Sequence, residues 1–143
     1  MKKFLIVWLS VLFVTFNITN VFGQNFSTTT YYSKFKNGRI GPDEKNFSFS
    51  NGYMYKTDKY YGTTITYGPF IFRNSGYVED GFYVEYFAFD IKSYPLESIK
   101  TSVIGYYFNY DVKGGKLLSI MEFYRSDNYQ VFYTEEGYKY THK

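Results

Sequence analysis

Ala88 is the only alanine in this 143-residue chain, and that scarcity sets the first limit on the fold. After the N-terminal apolar run, leucine occurs only as Leu96, Leu117 and Leu118. Long helices therefore lack the residues that form them at least cost. The chain instead supplies 19 tyrosines and 16 phenylalanines, together with threonine, valine and isoleucine. These bulky or β-branched side chains pack well on a pleated surface. Turn-forming pairs punctuate the chain throughout, among them Asn37-Gly38, Asn51-Gly52, Gly68-Pro69, Asp80-Gly81 and Gly114-Gly115. Short strands between such turns predict an all-β fold, an antiparallel meander forming a small β-barrel or β-sandwich. At most one short helix is expected, near residues 95–100, where Pro95 suits a first helical turn.

Two turns predict register. A two-residue Asn51-Gly52 loop pairs Ser50 with Tyr53, Phe49 with Met54 and Phe47 with Lys56. Toward the C-terminus, four strands are expected at Thr101–Val112, Lys116–Tyr124, Tyr129–Thr134 and Tyr138–Thr141. The turns between them are Gly114-Gly115, Arg125–Asn128 and Glu135-Glu136-Gly137. These registers gather Tyr106, Phe108, Tyr110, Met121, Phe123, Phe132, Tyr138 and Tyr140 on one face. The other face receives Tyr107, Asn109, Leu118, Ile120, Glu122, Tyr124, Val131 and Tyr133. A slip of one residue would invert a strand. Both faces are rather apolar, so two packed sheets, or a barrel with something on its outside, are expected.

Residues 1–23 read as a cleaved signal peptide. Lys2 and Lys3 precede an apolar run from Phe4 to Phe16, and Gly23 supplies a small residue at the end. The run is short for a membrane span, and no cysteine follows it to carry a lipid anchor. Residues 24–143 read as one β-rich domain, exported to the periplasm or the cell exterior, with no membrane insertion of the mature chain. The leader takes two of the sixteen basic residues, set against thirteen acids. The remainder is close to neutral, and nucleic-acid binding loses its electrostatic support. With no cysteine, neither disulfides nor thiol chemistry is available.

Catalytic groups are scarce. The single histidine, His142, is the second-last residue, where chain ends fray, so a histidine-based triad has little support. One histidine and scattered acids do not make a metal site, and no phosphate-binding or calcium motif occurs. No catalytic residue, metal or cofactor is assigned. Glu85 and Glu122 fall in otherwise apolar strands. A buried carboxyl there could serve as an acid, but the expectation for both is solvent exposure, because glutamate is seldom fully buried.

The aromatic residues carry what functional content remains. Tyr31-Tyr32, Tyr60-Tyr61 and Tyr106-Tyr107, if in strands, would each place one ring on either side. Much of the aromatic richness also fits core filling and the bias of an AT-rich genome. The first functional expectation is a non-enzymatic binding module for an apolar or carbohydrate ligand. Its pocket would be lined by Tyr106, Phe108, Tyr110 and Phe123, with the outward rings Tyr53, Tyr107, Tyr124 and Tyr133 as a second binding set. The alternative is a structural or protein-interaction component of the cell envelope. A small hydrolase working through Glu85 and Glu122 ranks last.

Overall fold

The computed structural model describes residues 25–79, 81–88, 103–113 and 115–142. The leader and the short helix expected near 95–100 lie outside these residues. The described part is an antiparallel β-structure of nine strands with one short helix. The strands are β1 (Phe26–Phe35), β2 (Ile40–Ser50), β3 (Tyr53–Asp58), β4 (Thr64–Tyr67), β5 (Phe70–Val78), β6 (Gly81–Ala88), β7 (Val103–Asp111), β8 (Leu117–Tyr124) and β9 (Asn128–Tyr133), and the helix α1 is Glu135–Thr141. All nine strands belong to one sheet, ordered β4-β3-β2-β1-β9-β8-β7-β6-β5. No ladder among the described residues joins β4 to β5, so the sheet is open.

The sheet is strongly curled. Strands β2 and β7 are four places apart in it, yet Phe49 and Phe108 meet edge to face at 5.2 Å. Phe26 meets Phe108 at 4.9 Å, and Phe47 meets Phe132 at 5.0 Å. The concave face therefore encloses a core of Phe47, Phe49, Met54, Phe70, Val84, Val103, Tyr106, Phe108, Ile120 and Phe132. Register shifts in β1, in β5 and along β7–β8 supply local bends.

The β2–β3 hairpin has the expected register, with Ser50 opposite Tyr53, Phe49 opposite Met54 and Phe47 opposite Lys56. Asn51 and Gly52 both have positive φ, 52° and 84°, as a two-residue hairpin loop of this type requires. The Gly52 carbonyl also accepts a 2.8 Å bond from the Phe70 amide. That bond fastens the start of β5 to the hairpin tip, and a Cβ on Gly52 would run into the Phe70 carbonyl.

Strand β8 faces the opposite way from its expected orientation. A two-residue Gly114-Gly115 turn would pair Phe108 with Met121. Instead, Asp111 and Lys116 close a longer loop, with the Asp111 amide donating to the Lys116 carbonyl at 2.9 Å. Phe108 then pairs with Ile120 and Tyr106 with Glu122. The next loop is one residue shorter than expected, because Asp127 takes a left-handed φ of 59° and Tyr124 pairs with Asn128. The two one-residue differences cancel for β9, so Phe132 keeps its expected inward position. Between them β8 is inverted: Ile120, Glu122 and Tyr124 face the interior, and Met121 and Phe123 face out.

The expected fourth strand, Tyr138–Thr141, is α1. Thr134 caps it by accepting the Gly137 amide at 3.1 Å. Glu135 and Glu136 occupy the first turn, where negative charge complements the helix dipole. Tyr138 and Tyr140 consequently leave the inward face. Tyr138 stacks on Tyr32 at 3.9 Å, and Tyr140 is exposed. The helix lies over part of the sheet's outer face, against β8, β9 and β1. Gly137 makes this approach possible, since a Cβ there would overlap the Leu118 carbonyl oxygen. Gly137→Ala is expected to cost roughly 1–3 kcal/mol by overpacking, read by denaturant unfolding. An unchanged unfolding midpoint would show that the helix need not lie so close.

Candidate functional site

The interior side chains change character along the strands. Alternate positions of β2 read Phe49, Phe47, Lys45, Asp43, and those of β3 read Met54, Lys56, Asp58. On β8 the inward series is Ile120, Glu122, Tyr124, and on β9 it is Phe132 then Gln130. One end of the enclosed volume is thus aromatic and aliphatic, and the other is ionic.

Glu122 marks the boundary. Contrary to the expected exposure, it is 0% exposed. Its carboxylate accepts from the Lys56 ammonium at 2.8 Å, the Tyr106 hydroxyl at 2.6 Å and the Tyr124 hydroxyl at 2.5 Å. Lys56 also lies 5.2 Å from the Tyr67 ring centre and 5.6 Å from that of Phe132, so cation–π attraction adds to the ion pair. A buried carboxylate persists only when paired and hydrogen-bonded, because desolvation of an isolated charge is very costly. Burial, then the adjoining Glu122 charge and its hydrogen bond, push the Tyr106 and Tyr124 hydroxyls far above the ordinary tyrosine value. Both stay protonated and remain donors.

The network continues outward. The Tyr124 hydroxyl, its proton directed mainly to Glu122, also approaches the Gln130 side-chain oxygen at 3.2 Å, and the Gln130 amide donates to the Ser33 hydroxyl at 2.9 Å and approaches Asp43 at 3.4 Å. Ser33 donates to Asp43 at 2.9 Å. Lys45 bridges two carboxylates, Asp43 at 2.6 Å and Asp58 at 2.7 Å. These three side chains retain 17–25% of their exposure. Asp58 also accepts the Tyr60 and Tyr61 amides at 2.8 and 3.0 Å, which fixes the β3–β4 turn and the two tyrosines on it.

At this end lies a cleft of about 610 Å3, lined by Tyr31, Tyr32, Pro42, Asp43, Glu44, Lys45, Asp58, Lys59 and Tyr60. Tyr60 is 88% exposed, and Lys59 pairs with Glu44 at 3.2 Å across the lining. Aromatic faces beside closely spaced donors and acceptors suit a polar ligand with flat apolar patches. None of these lining residues was singled out as a ligand contact from sequence, although two of the adjacent tyrosine pairs supply Tyr31, Tyr32 and Tyr60.

The sequence-derived candidates are dispersed. Tyr106 and Phe108 are packed in the core, with ring centres 5.9 Å apart. Tyr110 is stacked on Phe82 at 4.9 Å. Phe123 lies on the outer face near Tyr129. Phe123 and Tyr106 therefore lie on opposite faces of the sheet. Of the expected outward rings, Tyr53 is exposed, and Tyr107 stacks on Tyr83 at 4.7 Å on the outer face. Tyr124 points inward to Glu122, as the inversion of β8 requires. Tyr133 is on the outer face but buried, edge to face with His142. His142 caps α1 and stacks on Tyr138 at 4.2 Å. Glu85 pairs in register with Tyr107 whereas Glu122 pairs with Tyr106, so the two acids lie on opposite faces of the sheet. Among the described residues, no group of histidine, aspartate or glutamate side chains could hold a metal ion. No protein-family model matches the chain, and comparison with curated proteins gives no match.

Two outcomes follow from the network. Lys56→Met would leave Glu122 buried without its cation and is expected to cost about 3–5 kcal/mol. In a double-mutant cycle with Glu122→Gln, the paired variant should lose clearly less than the sum of the two single losses; simple additivity would show that the two groups are not coupled. The second outcome concerns pH. The hydrogen bond from Lys45, supported by the Tyr61 amide, holds Asp58 below its ordinary 3.8. Its stabilising contribution is therefore complete above pH 3.8 and is lost as pH falls through the lower folded value. Burial opposes the Lys45 charge, but hydrogen bonds to Asp43 and Asp58 outweigh it and raise Lys45 above 10.5. That contribution is present below 10.5 and is lost as pH rises through the raised value. Asp58→Asn should flatten the acid limb of an unfolding-free-energy profile; an unaltered limb would exclude Asp58 from acid sensitivity.

Proposed function

We propose that this protein is an exported, non-enzymatic β domain that binds carbohydrate in the cleft beside Asp43, Lys45 and Asp58. The observation that carries this reading is the convergence of Tyr31, Tyr32 and Tyr60 with a lysine-bridged carboxylate pair in one opening of about 610 Å3. Sugars present apolar C–H faces that pack on aromatic rings, and hydroxyls that both donate and accept. Carboxylate oxygens and ammonium groups, already held in place by one another, meet the hydroxyls without having to be ordered on binding. An apolar ligand is less suited, because the lining includes five charged side chains.

The non-enzymatic reading rests on protonation. Glycoside hydrolysis needs a carboxyl group that stays protonated to serve as acid. Asp58 is held in the opposite direction by Lys45, and both carboxylates are already engaged by the same ammonium. Export is supported by the leader-like pattern of residues 1–23.

Binding of the full chain to an immobilised panel of neutral oligosaccharides tests the proposal. At least one glycan should be retained, and Tyr60→Ala should weaken it roughly tenfold, as removal of one stacking aromatic anchor does. Tyr77→Ala serves as the comparison, since Tyr77 is 75% exposed and outside the cleft. Retention of no glycan, or equal losses in both variants, would reject the carbohydrate reading.

A further inference from the structure

A second feature lies on the other side of β1. Strand β1 pairs with β2 along most of its length, from Phe26 to Lys34. Its pairing with β9 covers only Tyr32–Phe35. Strand β9 ends at Tyr133, and the chain turns away into α1. Phe26–Tyr31 therefore has a ladder on one side only. In an antiparallel pair, every second residue directs its N–H and C=O away from its partner. No described backbone group pairs with that outward side of Phe26–Tyr31.

The result is a gap within the sheet rather than an ordinary edge. Its far wall is the start of β8, where Thr134 already occupies the Leu117 and Leu118 carbonyls, at 3.0 Å from its hydroxyl and 3.1 Å from its amide. Among the described residues, only the β1 wall of the gap has backbone groups without a partner. A solvent-open groove of about 810 Å3 lies along the gap, lined by Ser27, Thr28 and Thr29 of β1 and by Leu117, Glu135 and Glu136 among others. Phe26 and Leu117, which also line it, pack against the core. The space thus has an apolar floor, a hydrogen-bonding wall and a charged mouth.

We infer that this gap is a strand-addition site that takes an extended segment of a partner polypeptide. The unpaired wall selects the occupant: alternating donors and acceptors at strand spacing are matched along their length by another extended backbone. Six residues of β1 span about 20 Å at ~3.3 Å per residue, enough for a segment of five or six residues. Its alternate side chains would be apolar, over Phe26 and Leu117, and polar, toward solvent. The site adjoins the carbohydrate cleft at Tyr31, which lines both, and does not depend on that reading.

Amide hydrogen exchange on the full chain, with heptapeptides selected from a random phage-displayed library, tests the inference. In the protein alone, alternate amides of Phe26–Tyr31 should exchange quickly while their neighbours are protected by β2. A selected heptapeptide with alternating apolar residues should slow the fast set by about tenfold or more. Its derivative, N-methylated at alternate amides, should lose that effect while keeping every side chain. The inference is overturned if those amides are already protected in the free protein, which would place the chain's own segment or a second copy in the gap. It is equally overturned if no heptapeptide is selected, if the selected ones protect none of these amides, or if the N-methylated derivative protects them as well.

Discussion

The ion pair between Lys56 and Glu122 is the interaction on which the arrangement of the interior turns. Lys56 comes from β3 and Glu122 from β8, 66 residues later in the chain. The pair spans the concave face and sits between an aromatic region and an ionic one. A charge in that position would be prohibitive if any partner were missing. The two strands are therefore constrained jointly: β8 must present Glu122 inward, and β3 must bring Lys56 within reach. Tyr106 and Tyr124 complete the set by donating to the same carboxylate. Such pairs contribute little net stability compared with well-packed apolar residues. Their effect here is on register, since a shifted β8 would place Met121 or Phe123 where Lys56 requires an acid.

The same gradient explains why a cleft with tyrosine rings and charges lies where it does. Toward the Phe49 and Met54 end, rings pack against one another and water is excluded. Toward Asp43 and Asp58, the inward side chains are polar, and Lys45, Asp43, Asp58, Ser33 and Gln130 hold one another. Polar groups already satisfied within the protein can face a partly open space without a large desolvation penalty. The cleft is thus continuous with the core through hydrogen bonds, from Tyr124 to Gln130, Ser33 and Asp43.

How much of this was legible in the sequence depended on whether the information was local. The β2–β3 register was, because Asn51-Gly52 dictates a loop by its own backbone preferences. The all-β class was legible from the residue supply. The orientation of β8 was not, because it depends on loop lengths at Asp111–Lys116 and Arg125–Asp127 that no single residue fixes. Glycine pairs tolerate several loop geometries, and the buried acid that selects the register needs a lysine distant in sequence. The helix at Glu135–Thr141 had a readable start in Thr134 followed by two glutamates, but Gly137 and the tyrosines argued locally for a turn and a strand. The cleft was only half visible: the adjacent tyrosines stood out, whereas the meeting of Asp43, Lys45 and Asp58 depends on tertiary structure.

The ring contacts between distant strands have a consequence for the setting in which such a chain can persist. Small exported domains commonly hold their sheets together with cystine, and their integrity then follows the thiol–disulfide balance around them. Here Phe26, Phe47 and Phe49 meet Phe108 and Phe132 across the enclosed space, and the chain contains no sulfur that can be reduced. The aromatic contacts do the cross-linking without a covalent bond. The fold consequently does not follow the thiol–disulfide balance around it, and needs neither an oxidant to form cross-links nor protection from a reductant once it has folded.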